Sequence, residues 1–253
     1  MNVPSPYQPF YDYLAAHVVT PFYEVRLNNL RALRLQGVLK RKNPYLFKAK
    51  NIEIAGDLVQ GIVDAFLSSQ EETLFGNLLE GFAIHVSHTL YGGFKSGYKS
   101  VDLEFERDGT HYIVGIKSGT AWGNADQIAA MKTNFKNTRQ ALQQAGLEMP
   151  IVAVNGCIYG KDARPEKTDA DPDKSYFKYA GQDFWRFLSE DDNLYQEIIA
   201  PLDAQARVKD EAFKAAYAAK VNEMTAEFVW DFTTNGAIDW LKLVNFVSRR
   251  ADI

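Results

Sequence analysis

The sequence contains few of the residues that mark secreted or membrane-bound proteins. Its 253 residues include a single cysteine, Cys157, which excludes an intrachain disulfide and suits a reducing cytoplasm. No run approaches the roughly 20 apolar residues of a membrane span, and the first residues lack a charged-then-apolar signal. We therefore expect a soluble, cytoplasmic protein with no membrane partner.

The chain also lacks the net positive charge of many nucleic-acid-binding proteins, because its formal net charge is −4. This total excludes little, since phosphate contacts act within a Debye length of roughly 8–10 Å and depend on local charge. Acids are concentrated at 162–173 and 190–192, whereas the segment 40–50 has cations and no acid. The segment predicts a DNA-contacting surface, with an ordinary solvated surface as the alternative. Its cations are Lys40, Arg41, Lys42, Lys48 and Lys50.

Helical spacing of apolar residues dominates both ends of the chain. It predicts a helix over 8–38, broken or kinked at Pro21, because proline cannot donate the next helical hydrogen bond. Two further helices are predicted before residue 91, with Thr73 as the N-cap of the second. Near the other end, residues 206–228 predict a long amphipathic helix, and IDWLKLVNFVSRR predicts a last one.

The middle of the chain has the shorter period of β-strands. VDLEFER alternates apolar and acidic residues, Asp108-Gly109 is a hairpin turn signal, and HYIVGIKSG forms the returning strand. MPIVAVNGCIYG and SYFKYAG predict two more strands, and a helix capped by Asn124 lies between the hairpin and the first of them. These elements predict the α/β class, with a small mixed central sheet flanked by helices.

The hairpin brings together two residues that can perform chemistry. Asp102 stands near the start of one strand and Lys117 near the end of its partner, so both side chains can converge. The carboxylate can bind a hard cation through oxygen, and the ammonium can orient a water or offset developing negative charge. The alternative explanation is a cross-strand ion pair worth under about 1 kcal/mol.

At these positions the sequence resembles the PD-(D/E)xK nuclease superfamily, through Asp102, Gly115-Ile116-Lys117 and the following Ser118-Gly119. A wider resemblance, to type II restriction endonucleases of the PmeII kind, extends over most of the chain. Its segments appear in the same order and are NPYLFKAK, TLFGNLLEGF, SVDLEFERDG with IKSG, and KYAGQDFWRFLS.

The resemblance implies Mg²⁺-dependent cleavage of double-stranded DNA at a near-palindromic site by a homodimer, with Mn²⁺ able to substitute for Mg²⁺. It also implies a restriction-endonuclease-like core with helical additions at both termini. We predict a single nuclease domain over 1–253, divided into a helical N-terminal region 1–72, a catalytic core 73–190 and a helical C-terminal region 191–253.

The sequence departs from the superfamily pattern at Gly115, where an acidic metal ligand would stand. Glu80, in FGNLLEGF, is the first candidate to replace it, and Glu104, two residues from Asp102 on the same strand face, is the second. The main-chain carbonyl of Ile116 is a usual further ligand in the superfamily. Three residues after the catalytic strand are candidate DNA contacts: Ser118, Trp122 and Asn124.

Two other functions stay open at this stage. The first is a repair or phage nuclease of the same superfamily with little sequence specificity. The second is a DNA-binding module whose catalysis has decayed, which the missing acid at Gly115 would suggest. The aromatic residues Phe184, Trp185 and Phe187 could stack on bases, but packing in the core is the interpretation we favour.

Overall fold

The computed structural model describes residues 6–250, apart from the side chains of residues 203–208. The helices are α1 (Gln8–Tyr13), α2 (Thr20–Ala32), α3 (Leu35–Leu39), α4 (Pro44–Ala49), α5 (Ala55–Tyr91), α6 (Ala125–Gln144), α7 (Gln182–Ser189), α8 (Leu194–Glu197), α9 (Ile199–Phe232) and α10 (Trp240–Ser248). The strands are β1 (Phe94–Lys95), β2 (Leu103–Arg107), β3 (Thr110–Lys117), β4 (Ile151–Cys157), β5 (Glu166–Lys167), β6 (Tyr176–Ala180), β7 (Thr233–Thr234) and β8 (Ala237–Ile238). Within this described part, no helix combines the length and the apolar character needed to cross a membrane.

The chain divides into two compact units. Unit 1 takes its described residues from Met1–Val19 and Phe75–Ala204, and unit 2 takes them from Thr20–Leu74 and Gln205–Ile253. Unit 1 contains the sheet with the predicted catalytic residues, whereas unit 2 consists mainly of helices.

A six-stranded mixed sheet in the order β1-β2-β3-β4-β6-β5 forms the centre of unit 1. The strands β3, β4 and β6 are parallel, and the other neighbours are antiparallel. At the β2–β3 turn, Asp108 and Gly109 have φ angles of 51° and 70°. A two-residue hairpin of type I′ needs positive φ at both positions, so the Asp-Gly hairpin prediction is confirmed. The mixed α/β class is confirmed as well.

The two faces of this sheet bury separate apolar clusters, and helices cover both. One cluster contains residues of α5 and α7 and includes Phe82, Leu103, Phe105, Val114, Ile116, Phe184 and Trp185. The other contains residues of α6 and includes Val101, Ile113, Met131, Phe135 and Ala153. Phe184 and Trp185 are fully or almost fully buried and Phe187 is partly buried. Core packing is therefore confirmed for the aromatic residues of α7.

The N-terminal helical region is more divided than its periodicity predicts. A π-helical turn, Leu14–Val19, lies directly before α2, whose second residue is Pro21. The chain stays helical through Pro21, so the predicted break is absent there, but the turn before it is π-helical because proline lacks the N–H that would close an α-helical turn. A second interruption at residues 33 and 34 separates α2 from α3.

The prediction of two helices before residue 91 is wrong, because residues 55–91 form the single 37-residue helix α5. The polar stretch 68–72 lies between the two apolar segments, and its Gln and Glu residues are good helix formers that let the helix continue. Thr73 does not cap a helix. Its Oγ1 donates a 3.1 Å hydrogen bond to the Ser69 carbonyl, one turn earlier in the same helix.

The polar loop between β4 and β6 is fastened to α6. Lys132 pairs with Asp169 at 2.9 Å and Lys136 with Asp171 at 2.8 Å. Arg139, one turn further along α6, donates to two main-chain carbonyls of the same loop. The hydrogen bonds from the two lysines lower the pKa of both aspartates. The acidic run of the sequence is thus largely paired inside unit 1.

Unit 2 buries its own apolar cluster, formed by residues of α2–α5, α9 and α10. Arg26 joins several of its elements, because its guanidinium lies 3.5 Å from the Phe213 ring centroid and donates to Glu71. The helix α9 extends beyond the predicted 206–228, and the short β7–β8 hairpin separates it from α10.

Candidate active site

The carboxylate of Asp102 is fixed to the strand that carries Lys117. The main chain of Asp102, just before β2, donates to the Val114 carbonyl at 2.8 Å, which places the residue beside β3. Its Oδ2 accepts a 2.6 Å hydrogen bond from the Ile116 amide and lies 3.5 Å from Lys117 Nζ. The hairpin therefore brings the two residues together as its sequence pattern predicts.

Lys117 is the last residue of β3, and its ammonium has two partners at this edge. Nζ donates to the Ile116 carbonyl at 2.7 Å, in addition to its contact with Asp102. The side chains of Lys117 and Asp102 are 29% and 24% exposed, so solvent and a ligand can reach both. An ammonium held between a carboxylate and a carbonyl oxygen can orient a water or a phosphate oxygen in front of it.

Glu80 faces the same place from α5. It lines a cavity of about 210 Å³ together with Gly76, Asn77, Ile116, Lys117, Ser118 and Ile158. Burial raises the pKa of Glu80, and the nearby charge of Asp102 raises it further. Nζ of Lys95 lies 3.5 Å from Oε1 of Glu80 and lowers the pKa of Glu80, against these two effects. The structure therefore brings Glu80, Lys117 and Asp102 to one site.

The absence of an acid at position 115 has a steric explanation. A Cβ atom on Gly115 would lie 2.6 Å from the carbonyl oxygen of Ser100, and real Cβ atoms do not approach other atoms so closely. Ser100 has a left-handed backbone, with φ of 62°, and its Oγ accepts a 2.7 Å hydrogen bond from Asn134. This turn takes the space that the side chain of an acidic residue would need.

Glu104 lies away from the Lys117 cavity, in a separate buried cluster. Its Oε1 accepts from Ser96 Oγ at 2.6 Å, and its Oε2 lies 3.0 Å from Nε2 of His111. Glu104 and His111 are only 3% and 5% exposed. Both carboxylate oxygens are thus engaged, and metal binding by Glu104 stays a prediction that would require exchanging these partners.

Within residues 6–250, no group of three or more His, Cys, Asp or Glu side chains is arranged to hold a metal ion. The site instead offers two carboxylates, from Asp102 and Glu80, and the Ile116 carbonyl. Mg²⁺ prefers oxygen ligands and keeps several waters, so one or two carboxylates suffice. A cation here would also offset the charge of Asp102 that raises the pKa of Glu80. The donor set therefore fits a hard divalent cation.

The candidate DNA contacts occupy different environments. In unit 1, Ser118 is exposed at the end of β3, whereas Trp122 is partly buried beside Lys117. Asn124 forms a capping box with Gln127 at the start of α6, so its side-chain oxygen is already used. In unit 2, the cations of the segment 40–50 surround α4, and Lys40 and Lys48 lie over the rings of Phe246 and Trp240. DNA contact by all of these residues stays a prediction.

The segment YAGQDFW, residues 179–185 and part of the last segment of the wider resemblance, supports the end of β4 next to the site. The Gly181 amide donates to the Cys157 carbonyl at 3.0 Å, and the indole of Trp185 donates to the Ile158 carbonyl at 3.0 Å. Ile158 in turn donates its amide to the carbonyl of Lys117 at 2.9 Å. The segment thus fixes the main chain at the end of β4, the strand that lies beside β3 and Lys117.

The sequence patterns did not indicate two residues at the site, Lys95 and Asn155. Lys95, in the two-residue strand β1, pairs with Glu80, but so short a strand gives no periodic signal. Asn155 is buried in β4 at 1% exposure, and its side chain contacts both Gly115 and Trp122. The one available signal was an amide within an otherwise apolar strand, because buried amides need partners.

This combination defines a class of protein: a mixed sheet flanked by helices, with an acid and a lysine at neighbouring strand ends, as in the restriction endonucleases. The family model described as type II restriction endonuclease EcoO109I matches residues 11–210. The chain belongs to this family of type II restriction endonucleases and is, at that level, a DNA nuclease. A search among curated proteins found no match.

Proposed function

We propose that the protein is a type II restriction endonuclease that cuts both strands of DNA at a specific, near-palindromic site in a reaction dependent on Mg²⁺. The observation that carries the proposal is that Lys117 and Glu80 line one small cavity, with the carboxylate of Asp102 3.5 Å from Lys117 Nζ. We assign the protein to the PD-(D/E)xK superfamily because of Asp102 and Lys117. We assign it to the PmeII kind because of the order of the four segments given in the sequence analysis.

Asp102, Glu80 and the Ile116 carbonyl would hold the divalent cation, with waters completing its shell. When bound, such a cation polarises the scissile phosphate and makes a bound water more acidic. Lys117 orients the attacking water with its Nζ and offsets the charge that develops on the phosphate oxygens. Water adds to phosphorus, the 3′ oxygen leaves and gains a proton, and the ends carry 5′-phosphate and 3′-hydroxyl groups.

A near-palindromic target implies two copies of the chain related by a two-fold axis, each presenting the same surface to one half-site. Unit 2 has large apolar side chains exposed on its last helices, with Trp230 at 87% and Leu241 at 78%. We propose that these side chains contribute to the dimer surface. The cations of the segment 40–50 supply positive charge for phosphate contacts.

Digestion of a plasmid of known sequence, followed by sequencing of the ends, tests the proposal. Discrete fragments with one common end sequence support a site-specific enzyme, whereas a smear supports the less specific nuclease. A gel shift of the same DNA without any cleavage in Mg²⁺ or Mn²⁺ supports the DNA-binding module.

Lys117→Ala tests the catalytic assignment. The variant loses the ammonium at the cavity but keeps Asp102 and Glu80, so we expect at least a hundredfold slower cleavage with DNA binding retained. Lys99→Ala, which removes a lysine from the nearby loop 96–100, is the matched control and should cut at the normal rate. Normal cleavage by Lys117→Ala would contradict the proposed site.

A further inference from the structure

The ammonium of Lys117 has a third neighbour besides Asp102 and the Ile116 carbonyl. Its Nζ lies 5.6 Å from the centroid of the Trp122 ring. A cation within about 6 Å of an aromatic face is attracted by the ring quadrupole, and tryptophan attracts it most strongly. Trp122 therefore limits the positions that the flexible lysine side chain can take.

Trp122 is itself fixed, although it lies in the irregular segment between β3 and α6. Its indole Nε1 donates a 3.0 Å hydrogen bond to Oδ1 of Asn155. The Nδ2 of Asn155 donates to the Gly115 carbonyl at 3.3 Å, and these two residues are register partners on β3 and β4. The contacts thus form a closed chain that starts on β3 at Gly115 and returns to β3 at Lys117.

Packing alone does not require an amide in this strand. The neighbours of Asn155 are Val154 and Gly156, and an apolar side chain would fill the position without the cost of burying a polar group. The amide instead joins the Gly115 carbonyl to the Trp122 indole. The hydrogen bond to Gly115 is buried, which strengthens it, and the one to Trp122 is partly buried.

We propose that Trp122 and Asn155 are positioning residues that hold the ammonium of Lys117 in its catalytic place. This inference rests on the proposed function, because it assumes that Lys117 acts on the phosphodiester. It gives Trp122 a role through Lys117 in place of the predicted DNA contact. The indole supplies the aromatic face, and Asn155 fixes the orientation of that face.

Three variants test the two roles separately. Trp122→Leu removes the aromatic face, Trp122→Phe keeps a ring but loses the N–H, and Asn155→Leu removes both hydrogen bonds at similar volume. The readouts are the single-turnover cleavage rate at saturating DNA with Mg²⁺ and, separately, the dissociation constant for the same DNA without divalent cation. Circular dichroism at the assay temperature shows whether each variant is folded.

We expect Trp122→Leu, which removes the ring, to slow cleavage by about ten- to thirtyfold, the range that a partly desolvated cation–π contact supports, with the dissociation constant unchanged. Trp122→Phe and Asn155→Leu each keep a ring but lose the hydrogen bond that orients it, so both should slow cleavage by a smaller factor, about three- to tenfold. Partial rescue by phenylalanine, to the level of Asn155→Leu, distinguishes positioning of the ammonium from general packing.

Weaker DNA binding by Trp122→Leu at an unchanged rate would overturn the inference in favour of a DNA contact. Equal losses in Trp122→Leu and Trp122→Phe would overturn it as well, because the ring would then be irrelevant. Normal cutting by Trp122→Leu, in a protein that Lys117→Ala inactivates, refutes this inference alone. Normal cutting by Lys117→Ala removes both this inference and the proposed function of the site.

Discussion

Restoring the acid that the superfamily pattern places at position 115 should damage the protein instead of improving it. The Cβ of any residue other than glycine would start 2.6 Å from the Ser100 carbonyl oxygen. To reach the 3.4 Å at which ordinary contact begins, the main chain of β3 at Gly115 and the turn at Ser100 must separate by roughly 0.8 Å. The ring of Phe135, 3.4 Å from the same Cβ position, obstructs movement to the other side.

The expected loss of free energy of unfolding follows from the tight packing around Gly115. Overpacking of a well-packed core costs typically about 1–3 kcal/mol, and replacing a strand glycine by alanine returns roughly 0.5–1 kcal/mol of that. We therefore expect Gly115→Ala to lower the free energy of unfolding by about 1–2 kcal/mol. Gly115→Asp should lower the free energy of unfolding further, because its carboxylate would also be buried without a hydrogen-bond donor or cation arranged to pair with it.

Urea unfolding followed by tryptophan fluorescence measures the difference. Gly97→Ala is the matched control, because a Cβ there meets no atom within 4 Å and the change should stay within about 0.5 kcal/mol. The steric argument is refuted if Gly115→Ala is as stable as Gly97→Ala. It is equally refuted if Gly115→Asp cuts DNA faster than the unaltered protein.

Two further predictions concern Glu80 on α5 and Glu104 in β2. Because the pKa of Glu80 is raised in the folded protein, its charged form destabilises the fold above the ordinary pKa of 4.5. Glu80→Gln should therefore raise the melting temperature near pH 7 in buffer without divalent cations, with the gain vanishing below pH 4.5; a gain that persists at pH 4 would contradict this. His111→Ala should cost about 1–3 kcal/mol, because it leaves Oε2 of the buried Glu104 without its hydrogen-bond partner. The double variant Glu104→Leu with His111→Leu should recover most of that loss in urea unfolding, and an equally unstable double variant would contradict the pairing.

Local patterns predicted the parts of the site that lie on one hairpin. The period-2 alternation and the Asp-Gly turn set the register of β2 and β3, in which Leu103 faces Val114. This register brings Asp102 close enough to the end of β3 for its side chain to contact Lys117. The mixed sheet between helices followed from the order of the strand and helix patterns. These features depend on residues close together in the sequence, where propensities and periodicity are informative.

Features that depend on distant residues could not be predicted in the same way. The engagement of Glu104 with His111 and Ser96 uses three different strands or their ends, and the alternation pattern assigns only a face. The reason for Gly115 depends on the left-handed backbone of Ser100, which no propensity of serine indicates. The continuity of α5 through Thr73, by contrast, has a local cause in the helix formers Gln70, Glu71 and Glu72, which outweigh the capping preference of a threonine.

The buried thiol of Cys157 has a practical consequence for following the reaction in real time. It has no exposed surface, and burial raises its pKa, so little thiolate is available to react with a maleimide or a similar label. Because the chain has one cysteine, the folded protein already serves as an unreactive background for spectroscopic tagging. A second cysteine placed at any exposed position would take a single fluorophore there, with the native residue left untouched.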